Sequence, residues 1–344
     1  MIKIFILNFL LVSLAHASVV NKLSLTHKKW TLSVVDNENN LIVIGLPSPG
    51  GLKAPTIEHI NETGELIKKV ELDGSRKYEI SAFALKNDEL ITVTEFINED
   101  KVKEPFSFYT AGKKFEVNVD GLGQVLDIGN GNIFYNTLKS IYLISLEGKI
   151  LKTLPVGPST LIERGSNDFV VVTPSTIYNI DKDLNLKEEF SEKGLVFTTA
   201  SSIITHDKKL VVATNKKEII FLDSELKIKG RFKSDHFSSM TPLSNNTLAA
   251  LSDDGFLYIL DTSGDFVAKH LHNSSAAKSV KVCGNKIVYW NKSELVYVDS
   301  NGKEVTTLKM PKSQSAGTLH VMKNNHIVAY DDRDSMMYFV KCPK

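Results

Sequence analysis

Charge of one sign is what this chain lacks first. Its 344 residues carry 41 Lys and Arg against 40 Asp and Glu, a net charge of +1. Nonspecific nucleic-acid binding draws on a basic surplus that displaces counterions from phosphate, so nucleic acid is set aside as a partner. Past residue 17 there is no apolar run long enough to span a bilayer as a helix. Cysteine is nearly missing: Cys283 and Cys342 allow at most one bridge. Nothing resembles the Gly-x-Ser-x-Gly of a nucleophile elbow, and no acidic segment has the spacing of an EF-hand loop. What remains, 42% hydrophobic and 24% charged residues, is the composition of an ordinary globular protein.

The first residues have a logic of their own. Met1-Ile-Lys3 is a short positive start, residues 4–14 are apolar apart from Asn8 and Ser13, and Ala15-His-Ala17 places small residues where a signal peptidase reads. This pattern predicts a secretory signal peptide over 1–17, leaving 18–344 as one domain. Eleven apolar residues are too few to span a membrane. No cysteine follows them, so a lipid anchor at a new N-terminus is not expected. The expected location is therefore periplasmic or extracellular. In such a compartment Cys283 and Cys342 invite a disulfide, and two separate thiols are the alternative.

The body of the chain repeats one sentence. Residues 256–271 read FLYILDTSGDFVAKHL: an apolar strand, a tight turn, and a second strand of alternating character. Residues 141–154 (IYLISLEGKILKTL), 295–308 (LVYVDSNGKEVTTL), 219–232 (IIFLDSELKIKGRF) and 177–190 (IYNIDKDLNLKEEF) repeat it, and 57–72 repeat it loosely. Gly64, Gly112, Gly148, Leu184, Leu226, Gly264 and Gly302 occupy the same turn position, 48, 36, 36, 42, 38 and 38 residues apart. A period near 40 residues built of strand hairpins predicts an all-β fold, a β-propeller. Eight units of up to four strands follow, over 30–72, 79–119, 124–156, 159–190, 201–232, 238–271, 277–310 and 317–340. Seven is the alternative count if the irregular second unit is not a blade. Unit eight has three strands, and residues 21–29 (NKLSLTHKK) form a strand without a hairpin partner. The expectation is that this N-terminal strand completes the last blade and closes the ring, removing an open edge.

The pattern apolar-Tyr-apolar-apolar-Asp, two residues, then Gly, clearest at 257–264, 295–302 and 141–148, resembles the PQQ-like and WD40-like propeller repeats. The resemblance covers most of 18–344 and implies the fold, with almost nothing about activity. The outer strands lack the tryptophan of quinoprotein repeats, since only Trp30 and Trp290 exist. A PQQ cofactor is therefore not expected.

Candidate contacts gather on the face formed by the second-to-third-strand loops and the connections between units. Two of those loops are long: 47–55 (PSPGGLKAP) with Lys53, and 98–105 (NEDKVKEP) with Lys101 and Lys103. Two more are acidic, with Asp253 and Asp254 in unit six and Asp331, Asp332 and Asp334 in unit eight. Hard cations such as Ca²⁺ want several such oxygens, although solvated acidic turns explain the same residues and no resident metal is expected. His270 and His272 lie two apart on an outer strand, a start for zinc that lacks a third ligand. His206-Asp207 and Asp235-His236 are neighbours rather than triads. The expected function is thus a binding scaffold for a protein or peptide, as a monomer or part of a complex. The enzymatic alternative is a glycan-cleaving hydrolase or lyase, which needs two carboxylates roughly 5–9 Å apart at the channel mouth. No pair among the 40 acidic residues stands out for that role.

Overall fold

An apolar run of five or six residues flanked by Asn, Gly or Asp turns can bury one face in a hairpin but not two. The chain solves this by stacking its hairpins side by side. The computed structural model describes residues 18–24, 29–35, 39–46, 56–71, 78–86, 89–96, 106–110, 113–121, 123–244, 246–272, 279–291, 293–310, 318–322, 325–331 and 336–343. The expected signal peptide, 1–17, lies outside them. The described residues form an all-β propeller of four-stranded antiparallel sheets, eight in number, in which strands follow one another from the axis outward. Sheet one runs from Lys29–Val35 to Leu66–Glu71 and sheet two from Tyr78–Lys86 to Lys113–Val117. Sheet three runs from Gly123–Asp127 to Ile150–Pro155 and sheet four from Thr160–Gly165 to Leu186–Phe190. Sheet five runs from Phe197–Ile204 to Ile228–Lys233, sheet six from Phe237–Leu243 to Phe266–Leu271, and sheet seven from Val280–Cys283 to Glu304–Lys309. The irregular second unit is a four-stranded sheet like the others.

The eighth sheet takes three strands, Thr318–Met322, His326–Asp331 and Met336–Lys341, from the end of the chain. Its fourth and outermost strand is Ser18–Ser24, antiparallel to Met336–Lys341 with Ser18 opposite Lys341 and Ser24 opposite Met336. The pairing strand thus starts three residues earlier than the 21–29 read from the sequence. Lys29 instead opens the inner strand of sheet one, where it pairs with Leu46.

Middle strands are buried on both faces, as Leu210–Thr214 and Glu218–Leu222 are at every position, whereas the outer strand Ile150–Pro155 is exposed at most. Each apolar core sits between neighbouring sheets. Phe134, Ile141 and Leu143 of sheet three interleave with Phe169, Val171 and Ile180 of sheet four, the two phenyl rings edge to face at 5.1 Å. Met322, Val328 and Phe339 of sheet eight pack on Leu41, Val43 and Ile60 of sheet one, so the last sheet meets the first.

The turn between third and fourth strands explains the repeated signature. Its first residue receives the N–H groups two and four positions on: Asn61 from Thr63 and Glu65, Asp181 from Asp183 and Asn185, Asp223 from Glu225 and Lys227, Asp261 from Ser263 and Asp265, Asp299 from Asn301 and Lys303. These Asx turns force positive φ on the fourth residue, +82° at Gly64 and +90° at Gly264, but also +59° at Leu184 and +57° at Leu226. The choice follows from what the preceding sheet offers. A Cβ on Gly64 would fall 2.6 Å from the Phe339 ring, and one on Gly264 3.1 Å from Phe221. Where the corresponding third-strand residue is Leu143 or Asn179, a leucine fills the space: Leu184 and Leu226 are 1% and 3% exposed within the cores they share with the preceding sheet.

Polar locks accompany these docks. Arg164 and Asn179 of sheet four both donate to the Ser224 carbonyl in the turn of sheet five, at 3.0 and 2.7 Å, and Arg164 also binds Asp168 at 2.7 Å. Cys283, at the first turn of sheet seven, is disulfide-bonded to Cys342 after the last strand of sheet eight, with Cα atoms 6.1 Å apart. Both lie in the apolar core between those sheets.

Two outcomes are expected. Gly264→Leu should destabilise the fold by about 2–4 kcal/mol through overpacking and left-handed strain, and adding Phe221→Leu should recover at least about 1 kcal/mol; a double-mutant cycle in urea measures the coupling. Replacing Cys283 and Cys342 together by serine should cost at most about 4 kcal/mol, the loop-entropy value for a closed loop of this length. Dithiothreitol should produce the same fall in the urea midpoint of the wild-type chain.

Candidate functional site

Antiparallel sheets of four strands have two ends. One carries the first and third hairpin turns. The other carries the second-to-third-strand loops together with the connections between sheets, and hydrogen bonds tie these two sets into one face. Val156 and Gly157 both donate to the Lys139 carbonyl at 3.1 and 3.0 Å, Ser234 to Lys217 at 3.0 Å, His272 to Gly255 at 2.8 Å, and Met310 to Ser293 at 2.7 Å. In each case the chain leaving an outer strand is pinned to the loop of its own sheet. The backbone of this face is thereby tied together sheet by sheet.

Of the acidic residues on it, Asp253 and Asp254 are described in full. Asp253 is anchored by its N–H to the His236 carbonyl at 2.8 Å; its half-exposed carboxylate lies 3.6 Å from the His236 ring. Asp254 is turned inward on its own sheet. It accepts from the Tyr258 hydroxyl at 2.6 Å, the Ser234 hydroxyl at 2.7 Å and the Phe256 N–H at 3.1 Å. Burial works to raise this carboxyl, but the hydrogen bonds from Tyr258, Ser234 and Phe256 outweigh it and hold it below the usual range. Burial and Asp254 together push the Tyr258 phenol up. Beside them Tyr258 meets the rings of Phe232, Phe237 and Phe256, and Lys269 lies 4.2 Å above the Phe256 ring. Asp331 ends the second strand of sheet eight, at the same end of the ring. Its side chain lies outside the described residues, as do Asp332, Asp334, Lys53, Lys101 and Lys103.

The histidine pairs resolve into packing. His270 Nε2 lies 3.2 Å from the Tyr289 hydroxyl and 3.9 Å from Glu304, both on sheet seven. His272 falls beyond the strand end at Leu271, is 3% exposed and faces the Ser252 carbonyl at 3.1 Å. Both rings lie against Tyr289, with centroids 6.0 and 5.8 Å away, but their nitrogens meet different groups, a hydroxyl and a backbone carbonyl. Asp207 receives the hydroxyls of Thr205 and Thr262 at 2.6 and 2.9 Å, linking sheets five and six. Asp235 pairs with Lys217 at 2.8 Å. Among the described residues no three His, Cys, Asp or Glu side chains stand together as metal ligands. A hollow of about 40 Å³, lined by Leu243, Val282, Lys286 and Ser300, sits at the opposite, hairpin-turn end between sheets six and seven. It has room for water but not for a sugar or a cofactor.

Apolar exposure was not legible in the sequence. Leu138 is 72% exposed in the loop of sheet three, Val196 46% at the entry to sheet five, and Leu271 51% at the end of sheet six. All three lie on the loop face, Val196 by a paired bond with Asn215. Val196 sits between the buried Leu195 and Phe197, Leu138 between Thr137 and Lys139, and Leu271 between two histidines, so no common pattern marks them.

No protein-family model matches the chain, and no curated protein sequence matches it. Solved structures do. BamB from Moraxella catarrhalis superposes with a TM-score of 0.70 at 11% identity, over 95% of this chain and all of that one. The C-terminal WD40 domain of Sif2 gives 0.71 at 11% identity, over 95% and 99% of the two chains. The WD40 β-propeller domain of Doa1 gives 0.50 at 14% identity, over 78% and 94%. At such identities the likeness is one of fold, and it agrees with the resemblance to PQQ-like and WD40-like repeats carried by the turn signature.

Asp254→Asn should lower the melting temperature at pH 7 by a small amount, since the site is exposed and screened. The folded-state pKa is depressed, so the contribution is complete above the ordinary carboxylate pKa and fades as pH falls through the lower folded value. Melting curves from pH 7 to pH 2 should therefore show wild type and variant converging below about pH 4.

Proposed function

We propose that this chain is an exported propeller of eight blades that serves as a scaffold for a protein or peptide, held on the loop face. The observation that carries the reading is the exposed apolar set Leu138, Val196 and Leu271 on a face whose backbone is fixed by the bonds between loops and connections. Apolar contacts rimmed by charge are the usual composition of a protein-binding surface. Here the rim consists of Lys139, Lys216, Lys217, Asp235 and Asp253, and in this reading Lys53, Lys101, Lys103, Asp331, Asp332 and Asp334 extend it. The propeller fold of the solved relatives supports a platform, without choosing the partner. A disulfide between Cys283 and Cys342 favours an oxidising compartment, consistent with export by the 1–17 segment and a periplasmic or extracellular location.

Affinity capture tests this reading, with residues 18–344 as bait against the envelope and extracellular fractions of the source organism. A Leu138→Asp, Leu271→Asp variant serves as control. A reproducible partner held by wild type and reduced at least tenfold by the variant is the expected result. A partner held equally by both would move the site off this face. Repeated capture of nothing would count against a scaffold.

A further inference from the structure

Charge is unevenly spread over the loop face. Above sheets three, four and five that face is built from the loops 138–139, 173–176 and 215–217 and the connections 156–159 and 191–196. Hydrogen bonds hold these pieces in an arc. Asn136 donates from Nδ2 to the Ser159 carbonyl at 3.0 Å, and the Ser159 hydroxyl donates back to Asn136 Oδ1 at 2.9 Å. Phe197 donates its N–H to the Pro174 carbonyl at 2.9 Å. Val196 donates its N–H to Asn215 Oδ1, and Asn215 its N–H to the Val196 carbonyl, both at 2.9 Å. The connection carrying Val196 is thus held against the loop carrying Lys216.

Both exposed apolar side chains of the arc have lysine neighbours. Leu138, 72% exposed, precedes Lys139, and Val196 lies between Lys193 of its own connection and Lys216 of the adjoining loop. All three lysines are exposed, and among the described residues none has an ion pair or a side-chain hydrogen bond. The acids bordering the arc are engaged: Glu192 with Arg231, Asp235 with Lys217 at 2.8 Å, and Asp120 with the Thr137 hydroxyl at 2.7 Å. Pro158 and Pro174, both exposed, add rigid apolar surface without an N–H. Above sheet six the sign reverses at the half-exposed Asp253. Unpaired cations set among apolar side chains complement a segment that carries carboxylates and apolar residues together. Three lysines fall short of the roughly four to eight that mark an anionic-lipid site.

We propose that the arc above sheets three to five is the part of the loop face that holds the partner, and that it takes an extended peptide segment both acidic and apolar. Lys139, Lys193 and Lys216 meet its carboxylates, and Leu138 and Val196 its apolar side chains. This inference rests on the scaffold reading and names the chemistry of its ligand.

Selection from a random-peptide phage library on immobilised 18–344 tests it. Enriched sequences should combine Asp or Glu with Leu, Ile, Val or Phe. Lys139→Glu, Lys193→Glu and Lys216→Glu together should weaken a synthetic copy of the best peptide by about tenfold or more in fluorescence polarisation, since like charges then face each other. Lys149→Glu, Lys182→Glu and Lys303→Glu make an equal charge change in the third turns, at the opposite end of the ring, and should leave its affinity within about twofold. All six positions lie in loops or turns, so folded variants are expected, and unchanged melting temperatures check this. Enrichment of basic or uncharged peptides, or a loss no greater in the first variant than in the second, overturns the proposal and leaves the scaffold standing. A library that yields no binder also overturns it, and the scaffold is then judged by capture from the cell fractions. Sedimentation with phosphatidylglycerol vesicles is the remaining arm. Vesicle binding lost in the first variant, without an acidic peptide, assigns the lysines to lipid and overturns the proposal.

Discussion

Burial of the middle strands on both faces is the constraint on which the rest of this molecule depends. A strand such as Leu210–Thr214, covered at every position, cannot be satisfied within its own four-stranded sheet. Half of its side chains require the sheet before and half the sheet after. Each fully buried Val, Leu or Ile contributes about 1.5–3 kcal/mol relative to exposure, so a sheet at an open end would forfeit much of its stability. The contact of sheet eight with sheet one relieves both ends at once.

Much of this frame was legible because hairpin chemistry is local. The Asp, Asn or Ser at the head of the described third turns, the Gly or Leu three residues on, and the Asn- and Gly-rich first turns are dictated by φ angles and short-range hydrogen bonds. Unit limits read from the sequence fall within three or four residues of the sheet limits for the same reason. The displaced ends have physical causes. Residues 21–29 alternate like a strand, but Ser18–Ser24 belongs to sheet eight and Lys29–Val35 to sheet one, so two strands share what alternation alone reads as one.

Sites were less legible, since they depend on which neighbour a side chain meets. Asp253 and Asp254 are equivalent by composition, yet one faces solvent and the other closes its own loop with Tyr258 and Ser234. His270 and His272 both lie against Tyr289, yet their nitrogens face a hydroxyl and a backbone carbonyl instead of one common point. Lys281 in the run Val280-Lys-Val-Cys283 looks like the solvent side of an alternating strand; only alignment of the sheets reveals that its counterparts in sheets three, four and five are Leu126, Ile162 and Ile203. The Gly-or-Leu alternation at the third turn belongs to the same class. It becomes meaningful once Phe339 and Phe221 are seen across the gap from Gly64 and Gly264.

The pairing of Ser18–Ser24 with Met336–Lys341 also sets an order in time. The first strand of the propeller to be synthesised is the last to find its partner, because more than 300 residues separate the two. Sheets one to seven can hydrogen-bond internally as soon as their own residues are available. The eighth cannot be completed until the whole chain has been delivered, and the Cys283–Cys342 bond can form only then. Throughout that interval Ser18–Ser24 is an unpaired strand, the kind of segment that aggregates or is captured by a chaperone. Final closure is therefore a long-range, late event, and a slow last phase of folding would report on it.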